Sequence, residues 1–362
     1  MALQTVRFNR AVAPDFAQAL KQRVNDYFET NKISRYATPG MVIKSIFMLA
    51  LFFVPYALIM SNTFSSPWAV FAMWVLIGFG TAGIGLSIMH DANHGAYSRH
   101  GWINEMMGYT LNLVGGSAII WRIQHNVLHH SYTNIDGMDE DIHPGKLMRF
   151  SPHQPLEKHH RYQFLFAWFL YGLMTLLWIT AKEFRQIARY QKMGLIEPQG
   201  RTYRGVMIEL FAFKAVYYVY MLILPLMISN VAWWQTLIFF FVSHFIAGLT
   251  LGLVFQPAHV MSECEYPMPD EKGNIDNNFA IHQLQTTSNF APNNKILGWY
   301  VGGLNYQVEH HLLSNVCHVH YRKLSPIVKA TAEEYGLPYH SQPTFTKALW
   351  EHGKMLWKLG RA

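Results

Sequence analysis

The chain has 362 residues, of which 51% are hydrophobic and 14% charged, and its formal net charge is +7. Soluble proteins carry about 25% charged residues, so this composition excludes an ordinary water-soluble domain and indicates a protein embedded in lipid. The basic balance does not indicate nucleic acid, because the Lys and Arg residues are grouped at the ends of apolar segments, as the positive-inside rule expects. Two cysteines, Cys264 and Cys317, are too few for a disulfide framework.

Residues 1–40 are polar and mixed in charge, with no cleavable signal peptide, and we predict a cytosolic N-terminal leader. Two long stretches then lack Asp, Glu, Lys and Arg altogether, namely 45–89 and 215–262. Each is long enough for two helices of about 20 residues, and polar turn signals at 61–67 and 229–230 divide them. We therefore predict two hairpins of transmembrane helices, with spans at about 42–60, 68–89, 208–228 and 232–254.

Two apolar stretches lie between these hairpins. Residues 106–121 are rich in glycine and suit the membrane interface. Residues 162–181 are uncharged and long enough to span, but a third crossing here would place the last histidines on the opposite face from the others. We therefore predict an interfacial helix over 162–181. Cations are concentrated in 1–41 and 182–204, which places the histidine face in the cytosol together with a C-terminal segment, 326–362.

Eight histidines stand in short groups beside the predicted spans. They are His90, His94, His125, His129, His130, His259, His310 and His311. The four-residue spacing in the first two groups places side chains on one helical face. The first pair alone reads equally well as two interfacial histidines, but three groups in one chain favour a common metal site. Eight imidazoles exceed the ligands of one tetrahedral zinc and suit two metal ions with about four or five ligands each.

Histidine ligands need an acceptor for their second ring N–H. Asp91, Asp141 and Glu309 are predicted to supply it, whereas Asp136, Asp139 and Glu140 read equally well as a solvated acidic loop. His244 lies inside the last span, where it is either functional or neutral and bonded to a neighbouring helix. The remaining histidines considered are predicted to lie in cytosolic loops: His100, His143, His153, His159, His160 and His282.

This pattern resembles the membrane fatty-acid desaturases. Their three histidine boxes match the three groups in order, and their histidine after the fourth span matches His259. Gln307 stands where the third box usually begins with histidine, and with the stretch 302–311 it resembles the front-end, linoleoyl-type branch. The usual Leu-Phe-Pro after the third box is replaced by residues 312–314. The fragment 143–145 matches part of a haem motif, and we predict that it is a turn rather than part of a fused cytochrome domain.

The resemblance implies an all-α integral membrane fold with four transmembrane helices in two hairpins and a cytosolic helical cap that holds a di-iron site, in a desaturase domain over 41–325. The eight histidines would be the metal ligands, with Gln307 at the position of a further family ligand or beside the ligands. The implied cofactors are two iron ions, with dioxygen as co-substrate. The reaction would introduce a cis double bond into a long-chain fatty-acyl group carried by coenzyme A or a lipid.

Electrons would come from a separate donor, a ferredoxin or cytochrome b-type protein fed by NAD(P)H. Basic residues over 182–189 either dock that donor or contact the membrane surface. The metal site would face the cytosol, in a bacterial inner membrane. A membrane hydroxylase of alkanes or lipids is the alternative. A metal transporter is disfavoured, because the ionisable residues cluster at the membrane edge rather than at its midplane. Acyl carrier, chain length and bond position stay open.

Overall fold

The computed structural model describes residues 6–9 and 11–361, which form a mostly helical fold, as predicted. The α-helices are α1 (Pro14–Thr30), α2 (Pro39–Met60), α3 (Pro67–Asn93), α4 (Gly101–Gly108), α5 (Thr110–Leu113), α6 (Ala118–Arg122), α7 (Gln163–Gly172), α8 (Met174–Lys192), α9 (Tyr203–Ile228), α10 (Trp233–His259), α11 (Phe279–Thr286), α12 (Lys295–Tyr300), α13 (Gln307–Leu312), α14 (Tyr321–Glu334) and α15 (Phe345–Leu359). A π-helical segment, Ile123–His129, continues α6. The strands β1 (Arg7–Phe8) with β2 (Asn274–Ile275), and β3 (Ser288–Phe290) with β4 (His340–Gln342), pair in parallel.

Among the described residues, four helices are long and apolar enough to cross a membrane: α2, α3, α9 and α10, with 22, 27, 26 and 27 residues. They occupy the stretches predicted as spans. Helix α3 continues to Asn93 and α10 to His259, beyond the predicted ends, so His90 and His259 lie inside these helices. Large apolar side chains such as Ile43 and Ile208 are exposed on the outer faces, as expected of surfaces that contact lipid.

Small residues allow α2, α3 and α10 to pack backbone against backbone. A Cβ added to Gly78 of α3 would lie 2.6 Å from the Ser243 carbonyl oxygen of α10, and one added to Gly80 would lie 2.8 Å from the Phe52 nitrogen of α2. Such close approach through small residues is typical of membrane helices. Phe52 and the fully buried Trp74 then fill the space between the helices. The helix bundle that supports the histidines is therefore tightly packed.

The stretch predicted as an interfacial helix forms α7 and α8, which meet at Leu173. The segment ending at Gly172 and α8 are bent by 59° relative to each other. Gly172 lies against Gly248 of α10, and the Thr175 hydroxyl donates to the His244 carbonyl at 2.8 Å. This geometry describes a broken span or a re-entrant element, so the interfacial placement stays a prediction.

The polar elements are tied to the helix bundle by buried contacts. Helix α1 shares an apolar core with α14, which includes Phe16 and Leu324. In α15, the His352 ring bonds to the Tyr171 hydroxyl of α7 at 2.7 Å and to the Val260 carbonyl at 2.8 Å. Because Val260 directly follows the last residue of α10, α15 holds the end of that helix in place.

The loop before α13 approaches α3 closely at Gly302. This residue has a φ of +66°, in the left-handed region that favours glycine. A Cβ here would overlap the carbonyl oxygen of Leu86, which lies in the π-helical part of α3 (Ile84–Ile88). The glycine therefore lets α13, which carries the third histidine group, sit against the segment that leads to the first.

We expect Gly302→Ala to destabilise the protein more than the matched variant Gly336→Ala. Gly336 has nearly the same φ, +67°, but nothing lies within 4 Å of its added Cβ. The control should therefore lose about 1–2 kcal/mol from backbone strain, and Gly302→Ala a further ~1–3 kcal/mol from overpacking. Thermal unfolding of both purified variants in detergent measures the difference. Equal shifts in Tm would contradict this account of the contact.

Candidate metal centre

The structure brings all eight predicted histidines together where α3 and α10 end. His90 lies in the last turns of α3 and His94 directly follows that helix, while His259 is the final residue of α10. The second histidine group lies in and directly after the π-helical segment, and α13 carries the third. All are buried except His94, which is half-buried. Four separate elements therefore point imidazoles into one space.

The π-helical segment explains how His125, His129 and His130 share a face. The backbone N–H of His130 donates to the carbonyl of His125 at 2.9 Å, a bond between residues five apart that defines a π turn. In such a turn the residues four and five positions ahead both lie above the first, whereas in an α-helix the fifth points away. As a result the Nε2 atoms of His125 and His130 are 3.2 Å apart.

The ring nitrogens form two groups that a third, overlapping group joins. Within each group, one nitrogen per residue lies within 4.8 Å of the others. The first group is His90, His94, His125 and His310; the second is His129, His259 and His311; the joining group is His130 with His310 and His311. Metal–nitrogen bonds of about 2 Å put ligands of one ion roughly 3–4 Å apart. Each group therefore has the dimensions of a coordination site.

Unpaired ring nitrogens show that the site fits metal ions. Among the described residues, the buried Nε2 atoms of His90, His94, His259 and His311 have no hydrogen-bond partner. Leaving such an atom unpaired costs about 1–3 kcal/mol. A metal ion in each main group would supply the missing partners, and imidazole is a common ligand for iron, copper and zinc.

Burial keeps most of these imidazoles neutral, which is the form that binds metal. It lowers the pKa of His94 to about 3, and burial together with neighbouring imidazoles holds the pKa values of His125, His130, His310 and His311 well below 6.5. His129 differs. Burial alone would lower its pKa, but the carboxylates of Asp139 and Asp141 outweigh it and raise the pKa to about 9.

Asp139 orients His129. Its two oxygens lie 3.0 and 3.1 Å from His129 Nδ1, and they also accept the backbone N–H groups of Asn134 and Asp141, both at 2.9 Å. The carboxylate is fully buried. The carboxylate thus fixes the orientation of the imidazole through a bond to Nδ1, as is common for histidines that bind metals. The reading of Asp139 as part of a solvated loop is therefore wrong.

Two further orienting groups come from α11. Gln283 Oε1 lies 2.8 Å from His311 Nδ1, and the Thr286 carbonyl lies 3.2 Å from His259 Nδ1. Sequence reasoning missed both, because neither stands near a histidine group along the chain and an amide or a backbone carbonyl carries no signal of this role.

The three predicted acceptors are placed differently from one another. Asp141 lies 3.8 Å from His125 Nδ1 and 3.6 Å from His129 Nδ1, close enough for charge interaction but too far for a hydrogen bond. Asp91 bonds instead to His318 Nδ1 at 2.8 Å and accepts from the Cys317 thiol at 2.9 Å. Asp91 thereby links the end of α3 to the loop that follows the third histidine group.

Glu309 also bonds outside the histidine set. It accepts from the Tyr339 hydroxyl at 2.7 Å and from the Asn289 amide at 2.8 Å, and burial raises its pKa to about 7. Gln307 lies one turn before the third histidine pair in α13. It is buried, and its amide nitrogen has no partner within the described residues. Its role as a ligand or a neighbour of the ligands stays a prediction.

Other histidines take structural positions. His244 bonds to the Tyr217 hydroxyl at 2.7 Å and the Thr175 hydroxyl at 3.1 Å, which confirms the reading as a residue bonded to neighbouring helices. The prediction that His282 lies in a loop is wrong, because it is buried in α11 with its ring 5.0 Å from that of Phe8. Phe8 belongs to β1, so this is a long-range contact that local sequence does not signal.

A narrow apolar cavity lies within the helix bundle. Near the metal centre it is lined by Met89, Trp121 and Phe255, and further away by Thr81 and Thr175. The Trp121 ring stacks on that of His125 with centroids 4.3 Å apart, and Phe255 lies 6.3 Å from the same ring. The cavity therefore begins one aromatic ring away from the candidate ligands.

A bundle of membrane helices with a buried histidine cluster at its edge defines an integral membrane protein equipped to bind metal. The model of the fatty acid desaturase family matches residues 66–343, and the chain belongs to that family. It is therefore an oxidoreductase of the membrane, with histidine groups able to bind metal.

Similar proteins include two named sn-1 linoleoyl-lipid 6-desaturase. The one from Arthrospira platensis is 37% identical, over 95% of this chain and 92% of that protein. The one from Synechocystis sp. is 33% identical, over 96% of each chain. An acyl-lipid (8-3)-desaturase from Physcomitrium patens is 38% identical, over 98% of this chain and 74% of that protein.

We expect Asp139→Asn to weaken metal binding by about 10–100-fold. The amide would turn an N–H₂ group toward a backbone N–H that the carboxylate now accepts, and the charge that favours the His129 orientation would be lost. Asp136→Asn is the matched control, because its side chain accepts from the Gln154 amide at 2.9 Å instead. Co²⁺ titration, followed by ligand-field absorption, gives both affinities. Equal affinities for the two variants would contradict the assignment.

Proposed function

We propose that this protein is a di-iron, dioxygen-dependent desaturase that introduces a cis double bond into a long-chain acyl group. The observation that carries the proposal is the pair of histidine groups joined through His130, close to an apolar cavity that Trp121 lines. A paired site of neutral imidazoles suits two metal ions that remain cationic. When bound, the di-iron centre would supply the oxidising power that removes hydrogen from an unactivated methylene.

The protein's own residues would position and protect the substrate. An acyl chain entering the cavity would pass Trp121 and Phe255 before reaching the apolar walls of α3 and α10. These rings would shield the site from water, and the cavity would have to widen to hold an acyl chain beside the histidines. Positioning a reactive carbon is a major source of rate enhancement, and the hard chemistry stays with the cofactor.

We further propose a substrate that is lipid-linked and already unsaturated. The support is the name shared by two of the similar proteins, linoleoyl-lipid 6-desaturase, and Gln307 in place of the usual histidine of the third box. Electrons would come from a separate ferredoxin or cytochrome b-type protein fed by NAD(P)H.

We propose that α2 with α3, and α9 with α10, form two transmembrane hairpins within a desaturase domain over 41–325. The histidines, the leader 1–40 and the segment 326–362 would face the cytosol, in a bacterial inner membrane. The grouping of cations in 1–41 and 182–204 supports this orientation.

Gas chromatography–mass spectrometry of fatty acids tests the reaction, in a host that is fed linoleate and expresses the protein. The parent should give a new alkene and His130→Ala none, because His130 joins both histidine groups. His100→Ala, an exposed histidine, should match the parent. A hydroxylated fatty acid from the parent would replace the proposal with a hydroxylase, and a product unaffected by His130→Ala would contradict the site.

We also expect Gly85→Leu to restrict the length of acyl chain that is accepted. Thr81, Gly85 and Met89 line the cavity and lie four apart along α3, so Gly85 sits about 6 Å beyond Met89, on the side away from the histidines. A Cβ on Gly85 would make ordinary contact, 3.5 Å from Leu251, whereas a leucine would fill the cavity.

With acyl chains of graded length, Gly85→Leu should lower conversion of the longest by about tenfold or more and spare shorter ones. Gly85→Ala is the control and should stay close to the parent. A uniform loss across all lengths would contradict the assignment of this cavity to the acyl chain.

A further inference from the structure

The last part of α8, Glu183–Lys192, presents two different faces. Arg185, Arg189 and Lys192 are exposed, and their spacing places them on one side of the helix. We call these three residues the basic stripe. Gln186 and Tyr190 are buried on the side that faces the interior. The helix therefore presents cations at its surface and polar side chains to the interior.

Two residues of the basic stripe are free to meet a partner. Arg189 pairs with Glu140, but within the described residues neither Arg185 nor Lys192 has an ion-pair or hydrogen-bond partner. Two unpaired, exposed cations seven residues apart give an acidic surface a place to bind.

The buried side of the same helix is connected to the candidate ligands. Glu140 accepts from the Tyr190 hydroxyl at 2.8 Å and from the Gln186 amide at 2.9 Å. Gln186 also donates to Gln124 at 2.6 Å, and Gln124 donates to Asp141 at 2.5 Å.

Asp141 ends this chain, because its other oxygen faces the Nδ1 atoms of His125 and His129 at 3.8 and 3.6 Å. The stripe contacts the hydrogen-bonded chain directly, because Arg189 forms an ion pair with Glu140. A short path therefore joins this surface to two predicted metal ligands.

We propose that the basic stripe docks an acidic one-electron carrier protein, and that electrons enter the metal centre at this helix. The inference rests on the proposed function. Forming one alkene consumes one O₂, two electrons and two protons, and removes two hydrogens from the acyl chain, giving two waters. Two of the four electrons that reduce O₂ come from the acyl chain. A one-electron carrier must supply the other two, so it docks and is oxidised twice per turnover.

An electron carrier accounts for the arrangement better than a lipid surface does. Anionic lipid would attract the same cations. Lipid binding does not explain the buried hydrogen-bonded chain that leads from the helix to the ligands. Steering by opposite charge also gives the rapid, reversible encounters that a twice-used carrier requires.

The test compares Arg185→Glu/Lys192→Glu with the control Arg322→Glu/Lys329→Glu. The control changes the same residue types at the same seven-residue spacing on another exposed helix, α14. Arg189 is left unchanged to preserve its pair with Glu140. The purified iron-loaded enzymes are assayed in neutral detergent with NADPH, a reductase and a plant-type [2Fe–2S] ferredoxin, then with soluble cytochrome b5. Dithionite-driven single turnover needs no docking partner.

We expect the stripe variant to raise the KM for at least one carrier by about tenfold, equivalent to ~1.4 kcal/mol. It should lose the salt dependence of that KM, while its single-turnover yield with dithionite equals that of the parent. The control should keep the parental KM. No alkene from the dithionite-reduced parent would instead refute the proposed function.

Four results would overturn the docking proposal while leaving the function standing. They are an unchanged KM in the stripe variant, an equal rise in the control, failure of the parent to use either carrier, and an effect seen only in anionic lipid nanodiscs. The last result would assign the stripe to the membrane surface.

Discussion

The structure depends on one constraint, which is that ring nitrogens buried at the edge of a membrane bundle need partners. His90, His94, His259 and His311 each keep a buried Nε2 without one among the described residues, and each such atom costs roughly 1–3 kcal/mol. Burial also keeps most of these imidazoles neutral, so charge repulsion does not disperse them. The arrangement is costly without metal and favourable with it, because metal binding and folding are then coupled. The surrounding elements are arranged to hold the rings in place despite that cost.

Several local distortions serve this purpose. A π turn brings His130 onto the face of His125, and π-helical turns are frequent at functional sites. Gly302 adopts a left-handed conformation that lets α13 lie against α3. Asp139 and Gln283 then commit the second nitrogens of His129 and His311. Each feature restricts the orientation of an imidazole before a metal binds. The protein, rather than the ion alone, therefore organises the site.

Sequence reasoning predicted what is local and missed what is long-range. Hydropathy located the four long helices, and histidine spacing identified the eight clustered residues, because both patterns repeat over a few residues. Helices α3 and α10 continue past the predicted spans to Asn93 and His259, and the limits of the spans within them stay a prediction. Gln283 joins the site from a segment with no histidine-box signal, and the buried His282 contacts the distant Phe8. Such contacts arise only when distant segments meet.

Mössbauer spectroscopy with iron analysis, on the purified protein loaded with ⁵⁷Fe, tests the central claim most directly. The two joined histidine groups predict two iron ions per chain, with nitrogen-rich coordination and magnetic coupling between them. One isolated iron per chain, or a preparation that retains zinc and excludes iron, would contradict the account, because the second histidine group would then have no metal to hold.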